Sequence, residues 1–217
     1  MNFISLDSQS PDSLVYDQGG RVVVFDQTCT EIEKNRTVII RNNTHLEWYG
    51  MTTGQWHYSL HFITESGESL VRILLLAKNS HIQNTLRSTL TASRTLTNIH
   101  IISLAWNAGI ITLNGVVEIT AGLQKVSWHI LEENIFLGSE WQIRGIPALL
   151  VHSDDVEAGH AARIERIPDE KLYYLRARGV PRDDAIVMMI RSSVFWLFSW
   201  LDDLQKEEIM SRIVAIL

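Results

Sequence analysis

Short strand-like runs of apolar residues recur from residue 21 to 131, separated by a few polar or turn-forming residues, and in several of them apolar and polar positions alternate strictly with a period of two. The clearest run is Trp56 to Ile63, where Tyr58, Leu60 and Phe62 share one face and His57, Ser59 and His61 the other. Such runs, rich in Val, Ile, Thr, Leu and aromatics, predict strands. They fall at 21–25, 37–41, 45–49, 56–63, 69–77, 81–87, 99–105, 109–119 and 125–131. A helical period is hard to place anywhere in this region, so a mainly β architecture is expected. A sandwich favours hairpins closed by Asn-Gly or Asp-Gly turns, and Asn114-Gly115, the one Asn-Gly pair, sits between two apolar runs. A parallel β-helix stacks short strands through loosely defined corners. Periodicity alone leaves the two nearly even.

Beyond Pro168 the period becomes 3.6. One helix is predicted from Asp169 to Arg178, with Gly179 as its stop. A second starts after Pro181, with Asp183 and Asp184 near its positive end, and runs towards Trp200; a third covers Leu204 to Leu217. Apolar residues nearly encircle the second helix, more than a single supporting surface requires. The expected organisation is a polar lead-in over 1–20, a β core over 21–160 and a helical region over 161–217.

Composition narrows the function. With 46% hydrophobic and 20% charged residues in a chain of 217, general disorder is excluded. A net charge of -6 argues against nucleic acid as the main partner. Cys29 is the only cysteine, which excludes an intramolecular disulfide and a CxxC site. The first residues carry Asp7 and Asp12 and lack a basic-then-apolar leader. The most apolar stretch, 185–201, is broken by Arg191, Ser192 and Ser193 and falls short of the roughly 20 residues of a bilayer span. A cytoplasmic location with no membrane partner is therefore expected. No G-x-x-x-x-G-K-[ST] run is present, so any ATP hydrolysis would come from a partner.

The stretch Ser153 to Val180, SDDVEAGHAARIERIPDEKLYYLRARGV, joins the two patterns. Asp154, Asp155, Val156, His160, Ala161, Asp169, Glu170, Leu172, Tyr173, Tyr174, Leu175, Arg176, Arg178, Gly179 and Val180, followed by Asp183, Asp184 and Ala185, resemble the C-terminal signature of the SufB/SufD family of iron–sulfur cluster assembly proteins. Gly115 to Gly138 is similar to the preceding part of that family, with Gly122, Gln124, Lys125, Asn134 and the I-F-L-G ending in place. The likeness covers about residues 109 to 200. It implies a right-handed parallel β-helix followed by C-terminal helices, which settles the architectural tie. Ala161 replaces the usual glycine after the histidine, and Ala158 stands where a cysteine often sits. SufB-type members carry a cysteine in the β-helix; the corresponding region here has none, Cys29 lying far upstream. The resemblance is thus to a short SufD-like member without the family's N-terminal helical region.

His160 is the candidate metal ligand, since imidazole can bind iron or relay protons near neutral pH. The resemblance implies that it sits where SufD-like members place a histidine at the SufB interface. A histidine satisfied by hydrogen bonds at the seam between β-helix and helices is the alternative. His152 and Asp154 share one face of an extended segment and could add ligands, though solvation is the simpler reading. His57 and His61 would need a helix to form an i,i+4 zinc site. The resemblance further implies that the C-terminal helices dock a SufC-like ATPase, for which Tyr173, Tyr174, Arg176, Met189, Phe195 and Trp196 are the candidate contacts. Its other partner would be a SufB-like protein or a second copy, through β-helix edges, with a transient shared iron–sulfur cluster. No catalytic residue is assigned: a carbohydrate-active β-helix would need clustered carboxylates, and none precede Asp154. A structural scaffold without a cluster role needs uncapped ends, whereas the helices are suited to cap one.

Overall fold

The structure is a computed structural model that describes residues 2–27, 33–54, 56–137, 141–167, 169–199 and 201–216. Cys29, Trp200 and Leu217 lie outside these. Among the described residues, strands succeed one another as β1 (Asn2–Leu6), β2 (Ser13–Tyr16), β3 (Gly20–Asp26), β4 (Glu33–Ile40), β5 (Thr44–Thr53), β6 (Trp56–Thr64), β7 (Gly67–Lys78), β8 (His81–Leu90), β9 (Leu96–Trp106), β10 (Gly109–Ile119), β11 (Gln124–Leu137), β12 (Trp141–Val151) and β13 (Asp155–Arg166). Odd-numbered strands form one parallel sheet, here sheet A, in the order β1-β3-β5-β7-β9-β11-β13. Even-numbered strands form sheet B, in the order β12-β10-β8-β6-β4-β2. The chain alternates between the sheets and advances one strand per coil, giving a parallel β-solenoid of about five turns.

Register explains the coil. Val22 pairs with Leu46, Leu46 with Ser69, Ser69 with Thr97, Thr97 with Trp128 and Trp128 with Ala158. In a parallel ladder, paired residues point to the same face, so each position forms a column running along the solenoid. The column Val24, Trp48, Val71, Ile99, Ile130 lies in the core between the sheets. Trp48 meets Phe62 of sheet B edge-on at 5.4 Å. The corners use residues that tolerate a left-handed backbone: Asn42, Asn43, Asn79 and Asn107 all have positive φ. Gly67 and Gly109 are required by space, since a Cβ would lie 2.3 Å from Thr44 O and 2.1 Å from Ala77 O.

The two sheets differ in their outer faces. Along β8 burial alternates, as expected where the outer face meets water. Along β7 and β9 the later residues are buried without interruption, because the C-terminal helices cover that part of sheet A. The helices are α1 (Asp169–Arg176), α2 (Arg182–Leu197) and α3 (Asp203–Ile216). Leu74, Leu76, Ile102, Leu104 and Trp106 of the sheet pack with Ile186, Ile190, Val194, Leu197 and Phe198 of α2 and its end in a second core. Phe198 meets Phe25 at 6.2 Å and Tyr49 at 6.1 Å. The contiguous apolar run from Ile73 to Ala77 in β7, ILLLA, is the signature of a strand buried on both faces. The helices therefore line the side of the solenoid, where the sequence had suggested a cap on its end.

Strands also extend past the expected boundaries. β1 and β2 occupy the stretch read as a lead-in, and β13 carries the coil to Arg166, beyond residue 160. β1 and β2 are too short to show a period. β12 contains Gly145 and Pro147, and β13 contains Gly159 with Ala158, Ala161 and Ala162, all poor strand formers. Pairing with β3, β4, β10 and β11 imposes their conformation, and Pro147 is tolerated because β12 is an edge strand.

Near the other end a charge is built into the core. Arg36, fully buried, donates to Asp7 O, Pro11 O and Tyr58 Oη and lies 3.6 Å from buried Asp26. Tyr58 also donates to Asp26. Removing one member of a buried, hydrogen-bonded pair strands the other charge. Arg36→Met is expected to lower unfolding free energy by about 3–5 kcal/mol, read as the urea midpoint by tryptophan fluorescence. Asp26→Asn in the same chain will recover part of the loss, and Arg41→Ala, in an exposed pair with Glu65, will scarcely move the midpoint.

Candidate functional site at the open last coil

The final coil has no neighbour beyond it among the described residues. β12 and β13, 11 and 12 residues long, each leave one hydrogen-bonding edge free, whereas β1 and β2 at the other end have 5 and 4 residues. Leu149 and Val151 pair with core residues Val117 and Ile119, so they face the interior, yet they are 47% and 36% exposed. Ile164, paired with buried Asn134, is 64% exposed. These side chains are core residues without the next coil to cover them. Ile146 and Leu150 are exposed beside them on β12.

His160 stands at this mouth. It pairs in register with Ile130, a core residue, and so faces inward from β13. Its neighbour on the same face of β11 is Glu132, only 3% exposed, with His160 Nε2 3.2 Å from Glu132 Oε1. Gly115 and Gly145 make room for that carboxylate: a Cβ on Gly145 would lie 3.1 Å from Glu132 Oε2, and one on Gly115 3.9 Å from Oε1. A cavity of about 180 Å³ opens there, lined by Trp128, Ile130, Glu132, Pro147, Leu149 and His160 among others. Asn134 Oδ1 and Ser103 Oγ, on the same inner face, are buried with no partner among the described residues. Burial pushes the Glu132 carboxyl above its ordinary value, and His160 pulls it back. The arrangement sets one imidazole and one carboxyl group side by side at the wall of the cavity.

Other candidate residues disperse. His152 and Asp154 lie in the exposed corner between β12 and β13, and about 20 Å of strand, at roughly 3.3 Å per residue, separates Asp154 from His160. His61 points outward and meets Thr89 Oγ1 at 2.9 Å, and His57 lies 3.9 Å from Glu33. No group of three or more His, Cys, Asp or Glu able to hold a metal occurs among the described residues. Tyr173, Tyr174 and Arg176 are exposed on α1, and Arg178 stacks on Tyr174 at 3.9 Å. Met189 and Phe195 are half-buried against the outer core, with Arg191 over Phe195 at 4.6 Å. Trp196 is 56% exposed and, at the far end of α2 from α1, lines a groove that also reaches His160. Glu132 was missed from sequence. The alternation Trp128, Ile130, Glu132, Asn134 carries its signal, an acid on the inward face of a strand.

The fold is that of a parallel β-solenoid with a helical flank and one long, uncovered terminal coil. Residues 21–193 match the family model for the SUF system FeS cluster assembly, SufBD core domain, and the chain belongs to that family. It is 31% identical over 101 residues to the iron–sulfur cluster assembly protein SufD of Escherichia coli (strain K12), which covers 46% of this chain and 24% of that protein. It is 30% identical over 104 residues to SufD of Bacillus subtilis (strain 168), covering 48% and 23%, and 34% identical over 67 residues to a SufBD family protein of Archaeoglobus fulgidus, covering 31% and 18%. The matched stretch spans about a quarter of the length of the two SufD relatives.

The pair makes stability depend on pH in a defined sense. A carboxyl whose folded pKa is raised contributes stability that is complete below its unfolded value, about 4.3, and is lost as pH rises through the folded value. His160→Ala removes the opposing partner and moves the Glu132 carboxyl further up. The urea midpoint is expected to fall more between pH 5 and pH 8 in His160→Ala than in the wild type, and least in Glu132→Gln.

Proposed function

We propose that this chain is a non-enzymatic, SufD-like subunit of an iron–sulfur cluster assembly complex, joined to a SufB-like β-helix through its open last coil. Family membership supports the role in cluster assembly. The observation that carries the mode of pairing is the unpaired last coil with inward apolar residues exposed around a buried acid–histidine pair. A second coil added to β12 and β13 satisfies their free N–H and C=O groups, the physics of strand addition. It also covers Leu149, Val151 and Ile164 and removes water from around Glu132 and His160. A second copy of this chain could present the same edges, but the cysteine-free last coil favours a partner that brings thiolates.

The cluster is cargo at this seam. His160 offers an imidazole nitrogen to iron, Glu132 fixes the ring and holds its proton, and the remaining ligands come from partner cysteines and the cargo itself. A SufC-like ATPase docks on the helices after Asp169, with Tyr173, Tyr174 and Arg176 as the accessible contacts and Trp196 further along. Met189 and Phe195 act through packing, since both are half-buried. No helix among the described residues is long and apolar enough to cross a membrane.

Co-expression with a cysteine-bearing SufB-like chain and a SufC-like ATPase tests this. A stable complex is expected, and Ile146→Lys with Leu150→Lys will weaken pairing at least about tenfold, about 1.4 kcal/mol, at unchanged melting temperature. Recovery of the wild type as a lone monomer overturns the reading. Within the complex, His160→Ala is expected to lower cluster yield without loss of assembly; equal yields would confine His160 to a structural part.

A further inference from the structure

α2 covers only the later halves of the sheet A strands. Towards their starts the outer face is bare, and one row of paired residues crosses it: Arg72, His100, Leu131 and Ala161. Trp196 overhangs this row from the end of α2, its ring 4.9 Å from that of His100 and 5.3 Å from the Arg72 guanidinium. The groove beneath has a volume of about 490 Å³, within the span of about 300–1,000 Å³ common to small-molecule sites.

Its polar atoms are incompletely used. Arg72 donates through Nη1 to Leu197 O at 2.9 Å, but its Nε is buried with no hydrogen-bond partner and no carboxylate pairs with it among the described residues. His100, nine-tenths buried, lies 2.8 Å from Glu133 through Nε2, while its Nδ1 has no partner among the described residues. Glu133 is already engaged by His100 and by Arg163 at 2.5 Å, so beyond Leu197 O Arg72 is met only by the Tyr49 and Trp196 rings, 5.8 and 5.3 Å away, and by no carboxylate among the described residues. A half-buried guanidinium without a counter-ion calls for an anion, and its planar fork suits carboxylate, sulfonate or phosphate oxygens. Leu131 and Ala161 give the floor an apolar stretch, and the Trp196 indole offers a flat wall for stacking.

We infer that this groove binds a small, flat organic anion, its charged group on Arg72 and its apolar body between Trp196 and the Leu131–Ala161 floor. The site lies on the outer flank of sheet A, around Arg72, His100 and Trp196; the groove reaches His160 only at its far end, and the inference does not rest on the cluster-assembly reading. The probe is 1-anilinonaphthalene-8-sulfonate, a flat sulfonate whose emission rises in apolar surroundings. Saturable one-to-one binding is expected. Arg72→Gln and Trp196→Ala will each weaken it at least tenfold, Ile146→Lys with Leu150→Lys will leave it unchanged, and the dye will shift the His100 ring nitrogen resonances. Arg72→Gln also loses the bond to Leu197 O, so Trp196→Ala and the His100 resonances decide the matter if that variant unfolds. Dye affinity indifferent to Trp196→Ala, or lost only in the last-coil variant, overturns the inference.

Discussion

Backbone pairing governs this molecule. Every strand of a parallel stack has two hydrogen-bonding edges, and a buried N–H or C=O without a partner is costly. Inside the solenoid each strand is paired on both sides by the coils before and after it. The demand is left unmet at the last coil, over two long strands, and there the interior of the stack opens to solvent. Long apolar edges invite strand addition, so the feature that makes the fold possible also leaves an edge to which a further strand could pair.

The same stacking places the Glu132–His160 pair. Columns of paired residues carry side chains along the axis, and one column runs Asp26, Gly50, Ile73, Ile101, Glu132, with an acid towards each end. At the mouth Glu132 has His160 beside it and glycines opposite. Arg36 and Asp26 show the other solution, a charge kept deep in the core by three hydrogen-bond acceptors and a counter-ion.

The helical flank adds a second core on one side of sheet A. It explains why β7 and β9 are apolar on both faces where β8 alternates. It also leaves the strand starts uncovered, so that Arg72 and His100 face a groove roofed by Trp196.

Read alone, the chain specifies the strands with a clear period, such as Tyr58, Leu60 and Phe62 facing in from β6, and the three helices, the first with its stop at Gly179. It also carries His160 through the family signature. Side-chain alternation and helical period are local properties, and they survive without any knowledge of neighbours. Tertiary packing set what depends on residues distant in sequence. β12 and β13 are strands because β10 and β11 template them despite Gly145, Pro147 and a run of alanines. Glu132 became the partner of His160 because a coil of the solenoid, and no spacing along the chain, sets residues 132 and 160 in neighbouring inward columns. The helices lie along sheet A and not across an end because its outer face, apolar from Leu74 to Trp106, offers more surface to bury there.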